Sequence, residues 1–274
     1  MVATDLAFVE GLRVAPGHAL HLDRRDPRDR LEVRNKEDAK ASVAELASEL
    51  DALQNRLWAE AKRSVLLVLQ GLDTAGKDGA IRRVLSGLNP QGCDVTSFKA
   101  PSDGEAAHDY LWRVHAVCPS RGHLGVFNRS HYEDVLAARF VGAATHAECR
   151  RRYRHIRDFE QMLTDEGTTV VKVFLHLSKD EQRVRLQARI DDPTKRWKFD
   201  KADLDVRAQW DTYQSAYEEV ITETSTDAAP WYIVPADRRY VRDVAVAALL
   251  VSTFRDLDPQ IPSPDPSLDG IVVE

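Results

Sequence analysis

The chain is short of cysteine, of net positive charge and of long apolar runs, and each shortage removes a class of function. Its three cysteines, Cys93, Cys118 and Cys149, are odd in number and show no CxxC spacing. That argues against a disulfide framework and predicts free thiols in a reducing compartment. Lysine and arginine total 38 against 44 acidic residues, a net charge of −6. Bulk electrostatics therefore do not favour nucleic acid, and any polyanion site must be a local concentration of base. No apolar run approaches the roughly 20 residues of a membrane span. At the N-terminus Asp5 and Glu10 interrupt any leader-like stretch, so a cytoplasmic location with no membrane partner is expected. Internal repeats and low-complexity tracts are also missing. What remains is 274 residues, 43% of them hydrophobic, enough for one sizeable α/β domain with a lid or terminal extension.

The most informative stretch is Gly71-Leu-Asp-Thr-Ala-Gly-Lys-Asp-Gly79. It follows the apolar run Val65-Leu-Leu-Val-Leu69 and opens into helical spacing at Ile81, Val84, Leu85 and Leu88. That order reads as buried strand, glycine loop, helix. The backbone N–H groups of Thr74, Ala75, Gly76, Asp78 and Gly79 can converge on one anion, and the helix N-terminus adds positive potential. Lys77 supplies a mobile ammonium. The match to G-x-x-x-x-G-K-S/T fails only at its last position. Asp78 stands where a hydroxyl normally reaches Mg²⁺, and its carboxylate would repel phosphates unless a cation sat between. Metal ligation is therefore expected to shift, with Asp73 as first candidate.

Along the chain, residues 1 to about 35 read as irregular and charged, with 23–30 solvated. The spacing predicts helices over 38–63, 104–117, 131–143, 146–166, 179–190, 203–224 and 238–256. It predicts strands over 64–70, 93–99, 123–128, 169–177 and 230–235, and a turn at Asn89–Gly92. The tail from Asp258 holds four prolines and reads as an arm. Strands alternating with helices imply a mostly parallel five-stranded sheet covered on both faces. Ligands bind such sheets at the carboxyl ends of the strands, which brings together the 71–79 loop, residues 128–134 and the region after Leu177.

Two further constellations fall on that edge. Phe127-Asn-Arg-Ser-His-Tyr-Glu-Asp134 closes the third strand. A strand-end acid commonly serves the metal there; here Asn128 offers an uncharged oxygen, Arg129 a bidentate phosphate fork, and Glu133 and Asp134 follow. The same segment also reads as a helix start with Ser130 as cap. His131 has no partner at metal spacing and reads as a structural hydrogen-bonder. Farther on, Arg183, Arg185 and Arg189 precede Asp191-Asp-Pro-Thr-Lys-Arg-Trp-Lys-Phe199. Arg185 and Arg189 share one helix face. In the presence of a phosphate loop this basic region is expected to be a lid, in preference to a solvated surface. Arg150–Arg157 is another basic run, which fits a polyanion guide, a surface helix or a subunit contact equally.

These residues resemble the family-2 polyphosphate kinases. The Gly71–Gly79 loop is similar to that family's Walker A segment. Asn89–Gly92, Ser97-Phe-Lys-Ala-Pro101, His108-Asp-Tyr-Leu-Trp-Arg113, Phe127–Leu136, Trp197-Lys-Phe199, Ala229–Tyr232 and Pro235-Ala-Asp237 continue the likeness, over roughly residues 10 to 255. The Asn-Arg-Ser-His-Tyr-Glu-Asp form is similar to the class III branch. Residues 102–107 and Lys195–Lys198 depart from the usual pattern. The resemblance implies a P-loop kinase-like three-layer α/β/α fold, with a helical lid at about 183–205. It implies an N-terminal extension over 1–37, a kinase domain over 38–256 and a tail over 257–274. It further implies reversible phosphoryl transfer between inorganic polyphosphate and AMP, ADP or ATP with Mg²⁺ or Mn²⁺, by a homo-oligomer (dimer or tetramer) that binds no nucleic acid. By the same resemblance Asp73, Lys77 and Arg129 are catalytic, and Asp73 and Asn128 hold metal. Thr74, Ala75, Gly76, Asp78, Gly79, Lys99, Asn128, Glu133, Asp134, Arg139, Arg185, Arg189 and Lys198 are placed on phosphate or nucleotide. An ATP-dependent small-molecule kinase and a non-catalytic polyphosphate- or nucleotide-binding module are the competing readings.

Overall fold

In the computed structural model, five parallel strands run in the order β2-β3-β1-β4-β5. The structure describes residues 6–140, 142 and 144–273. The strands are β1 Ser64–Gln70, β2 Cys93–Ser97, β3 Leu124–Asn128, β4 Thr168–His176 and β5 Trp231–Pro235. Central β1 is buried at every position, as an apolar run between two helical layers must be. Edge strand β2 is half-exposed and carries polar residues.

The longer helices are α1 Lys36–Glu60, α2 Lys77–Val84, α3 His146–Asp165, α4 Lys179–Asp191, α5 Ala202–Ala208, α6 Trp210–Thr224 and α7 Arg239–Leu257. Two cores result. Leu46, Leu50 and Leu57 of α1 meet Leu249, Leu250 and Phe254 of α7 on one face of the sheet. Tyr153 and Ile156 of α3 meet Tyr217 and Ile221 of α6 on the other. Strand β4 serves both, because its side chains alternate: Val171, Val173 and Leu175 enter the first core, Val170 and Phe174 the second.

Three expected helices are broken. Over 104–117 the chain forms two single turns, Asp103–Ala106 and Trp112–His115. The Asp109 carboxylate accepts from the Leu111 N–H between them, a local turn that competes with helix. Over 131–143 a 3₁₀ turn, His131–Asp134, is followed by the short helix Ala137–Phe140. Over 203–224 the helix breaks at Gln209, which leaves α5 separate from α6. Residues 6–35 are largely irregular yet packed. Val14 N–H donates to Trp231 O, Leu20 N–H to Thr222 Oγ1 and Leu22 N–H to Glu218 Oε1, with Val9, Leu12, Leu22 and Val33 buried.

That segment also covers His176 at the end of β4, whose Nε2 lies 3.0 Å from Arg25 O. Burial pushes the imidazole pKa below its ordinary 6.5. The unfolded chain then binds the extra proton, so stability is complete above about pH 6.5 and declines as pH falls below it. Melting temperatures measured from pH 5 to 8 should show that slope, and His176→Gln should flatten it; an unchanged slope would assign the pH dependence to other groups.

Candidate active site

The loop between β1 and α2 is built from unusual backbone. Thr74 and Gly76 have φ of 69° and 103°, and Gly71 passes so close to β4 that a Cβ there would lie 3.0 Å from Leu175 O. Lys77 opens α2. Its ammonium is buried and donates to Gly71 O at 2.6 Å. Burial, and then the Arg129 charge, press its pKa down, against Asp73, Glu133 and Asp78. The loop is thus folded back on its own lysine, and Thr74 Oγ1 is buried without a partner.

Two arginines brace this loop. Arg185 of α4 is 4% exposed and donates to Thr74 O, Ala75 O, Ala236 O and Asp237 O at 2.6–3.2 Å, and to Glu181 Oε1 at 2.8 Å. Its guanidinium is committed to backbone carbonyls, so its placement is that of a loop support. Arg242 of α7 lies against the loop glycines, and a Cβ on Gly76 would come within 1.9 Å of its Nη1. Asp243 holds Arg242 through bonds of 3.0 and 2.5 Å.

The end of β3 enters from the adjacent strand. Arg129 takes a left-handed conformation, φ 61°, while its N–H donates to Leu69 O. A non-glycine residue there costs on the order of 1–3 kcal/mol, and such strain collects at functional sites. The conformation lets one guanidinium span two carboxylates: Nη2 to Asp73 Oδ1 at 2.6 Å and Nη1 to Glu133 Oε2 at 3.4 Å. Burial would lower the Arg129 pKa, but Asp73 and Glu133 outweigh it and hold the group above its ordinary value. Asn128 Nδ2 donates to Asp78 Oδ1 at 2.7 Å, and Lys198 reaches Asp78 Oδ2 at 3.7 Å. The cation beside the out-of-pattern Asp78 is therefore a lysine of the 196–198 turn. Burial would raise the Asp78 pKa, but the Asn128 hydrogen bond and then the Lys198 charge outweigh it and hold the carboxyl below its ordinary value.

The residues from 183 to 205 fold over the same edge. Arg189 donates to Lys198 O at 3.1 Å and pairs with Asp203 at 3.5 Å. Asp203 Oδ2 is buried with no hydrogen bond. Burial and then the Asp73 charge push the Asp203 carboxyl up to about 6. Asp73, Thr74, Ala75, Gly76, Lys77, Asp78, Gly79, Asn128, Arg129, Glu133, Arg185, Arg189 and Lys198 thus share one strand edge. Asp134 is directed elsewhere, toward Arg113 at 3.6 Å. Arg113 also donates to Lys99 O, which leaves the Lys99 side chain exposed beside β2. The Arg139 side chain lies outside the described residues. The 150–157 run divides: Arg152 donates to Asp134 O and lies over the Tyr110 ring, while Arg157 donates to Glu223 O.

Sequence reasoning missed Asp203 and Arg242, which no short motif marks. It also missed Lys172, although a lysine inside the apolar strand Thr168–His176 is a visible anomaly. Among the described residues, no three His, Cys, Asp or Glu side chains stand close enough to hold a metal by themselves. Arg129 engages Asp73 through Oδ1 and Asn128 bonds Asp78 through Nδ2, so Asp73 has its second oxygen and Asn128 its amide oxygen to offer a hard cation.

The loop geometry makes a direct prediction. Gly76→Ala forces a Cβ into Arg242 at a positive φ, so it should lower the melting temperature and any phosphoryl-transfer turnover at least about tenfold. A variant with unchanged melting and kinetics would contradict the tight contact.

A family model for polyphosphate kinase 2 matches residues 33–262. The chain is 50% identical over 263 residues to an AMP/ADP-polyphosphate phosphotransferase of Meiothermus ruber, covering 96% of this chain and 98% of that one. It is 48% identical over 230 residues to an ADP-polyphosphate phosphotransferase of Rhodopseudomonas palustris, covering 80% of each. The crystal structure of polyphosphate kinase 2 from Arthrobacter aurescens superposes with a TM-score of 0.90 at 45% identity, over 96% of this chain and 93% of that one. With its phosphate loop, its parallel sheet and these relatives, the chain belongs to the polyphosphate kinase 2 family.

Proposed function

We propose that this chain transfers the terminal phosphoryl group of inorganic polyphosphate to AMP and to ADP, reversibly, making ADP and ATP. The observation that carries the reading is its near full-length likeness to a relative named for both acceptors. The geometry supports it, because the strand edge sets Lys77, Arg129 and Lys198 around three carboxylates, Asp73, Asp78 and Glu133. Anionic phosphates can take the place of Asp73 on Arg129 and of Asp78 on Lys198.

In the reaction an oxygen of the acceptor phosphate bonds to the terminal phosphorus, and the bond from that phosphorus to its bridging oxygen breaks. The shortened chain leaves with the electron pair. The attacking oxygen is already anionic, so no general base is required. Alignment and charge neutralisation carry the rate. The loop N–H groups and Lys77 bind the transferring phosphate, and Arg129 turns from Asp73 to its equatorial oxygens. Asp73 and Asn128 would hold a divalent cation, Mg²⁺ or Mn²⁺, which would supply Lewis-acid neutralisation of phosphate charge. The 183–205 segment acts as a lid, with Arg189 and Lys198 closing over the phosphates and Arg185 fixing its hinge to the loop. Glu133 orients Arg129.

A second reading, transfer to ADP alone, follows from the Rhodopseudomonas relative, which is named only for that acceptor. Purified protein with Mg²⁺ and long-chain polyphosphate should convert AMP to ADP and then ATP, resolved by chromatography. ATP formed only from ADP would select the second reading, and transfer only from ATP would overturn both. Lys77→Ala should lose at least about 100-fold in turnover with an unchanged melting profile; near-normal turnover would remove Lys77 from the mechanism.

A further inference from the structure

A group of buried charges lies in the second core, where the transfer reaction needs none. Lys172 sits midway along β4, fully buried, on the same strand face as Val170 and Phe174. Its ammonium donates to Glu160 Oε2 at 2.6 Å, Thr224 O at 2.7 Å and Tyr132 OH at 3.0 Å. Glu160, on α3 and 1% exposed, accepts from Tyr132 OH at 2.7 Å and lies 3.2 Å from His131 Nε2. Thus α3 and the 3₁₀ turn after β3 meet β4 at the Glu160–Lys172 pair, and α6 joins through the Thr224 carbonyl on the ammonium.

His131 and Tyr132 are the link to the site. They stand between Arg129, held at positive φ, and Glu133, which receives the Arg129 guanidinium. Replacing a buried ion pair with apolar side chains is often neutral or stabilising, so stability alone is a weak reason for this one. Directional hydrogen bonds to two consecutive residues do what apolar packing cannot: they fix the rotation of the turn. The phosphate loop is braced separately, by Arg185 and Arg242.

We propose that Glu160, anchored by Lys172, is a positioning residue that grips His131 and Tyr132 and so holds Arg129 and Glu133 in register for phosphoryl transfer. This rests on the reading of Arg129 as a transfer-site group. Because the loop has its own supports, the effect falls on kcat and leaves KM for polyphosphate within about twofold.

Two charge-free double variants separate the grip from the charge. E160L/K172M removes both charges and the acceptor, whereas E160Q/K172M removes both charges and keeps an oxygen for His131 and Tyr132. With polyphosphate and AMP, the first should lose at least about tenfold in kcat and the second should recover most of that loss. Tyr132→Phe, which preserves ring volume, should lose about three- to tenfold and serves if E160L/K172M does not fold. Wild-type kcat in a folded E160L/K172M or in Tyr132→Phe, or equal loss in both double variants, would overturn the proposal. Arg129→Ala is the control. If it alone keeps full turnover, the reading of the site fails; if it is inactive while E160L/K172M is normal, only this inference fails.

Discussion

The ion pair between Asp73 and Arg129 joins the two halves of the site. Asp73 belongs to the loop after β1, Arg129 to the turn after β3, and their 2.6 Å bond crosses between neighbouring strands. Everything else at the strand edge is arranged around it. Glu133 takes the second arm of the same guanidinium, Lys77 feels both charges, and the Asp73 carboxylate helps raise the Asp203 carboxyl on α5. The pairing lets a concentration of charge exist in a partly buried place. It also suits the proposed reaction, in which a polyanion would compete for Arg129 and a cation for Asp73. Arg129 and Asp73 keep 39% and 27% of their side-chain surface exposed, so a ligand can reach both partners and the pair is exchangeable.

Around that exchangeable centre the supports are buried. Arg185 donates to Thr74 O and Ala75 O of the phosphate loop and to Ala236 O and Asp237 O after β5, and Arg242 packs on Gly76 under the hold of Asp243. Breaking a buried charged pair by removing one partner commonly costs 3–5 kcal/mol. Two kinds of arginine follow. Arg185 and Arg242 are buried against the loop and shape it, while Arg129 and Arg189, more exposed and paired with Asp73 and Asp203, are the ones that would change partner in the proposed reaction.

Much of this was legible in the sequence. The phosphate loop is a local pattern, in which chain order alone fixes which N–H groups converge, and the strand-end motif is similarly local. The five strands were readable because β1 and β4 are apolar runs. The helices expected over 104–117 and 131–143 broke for local reasons, and nothing in the sequence marked the break at Gln209. Asp109 and Ser130 offer the backbone competing hydrogen bonds. The role of Arg185 was not legible, because sequence spacing shows which helix face a residue occupies but not whether that face meets solvent or a loop. Arg242 and Asp203 lie far along the chain from the loop they approach, and only the closed sheet brings them there. Lys172 was legible as an anomaly and not as a network, since its partner Glu160 sits in a helix rich in exposed charge.

In the proposed reaction Asp73 and Arg129 act as one exchangeable unit. A double-mutant cycle on kcat/KM with polyphosphate and AMP, using Asp73→Asn, Arg129→Gln and both together, tests it. Strong non-additivity is expected, with the double variant little worse than the weaker single one and a coupling of at least about 1 kcal/mol. Additive losses would show that the two residues serve the reaction independently and that the pair seen at the strand edge does not organise the site.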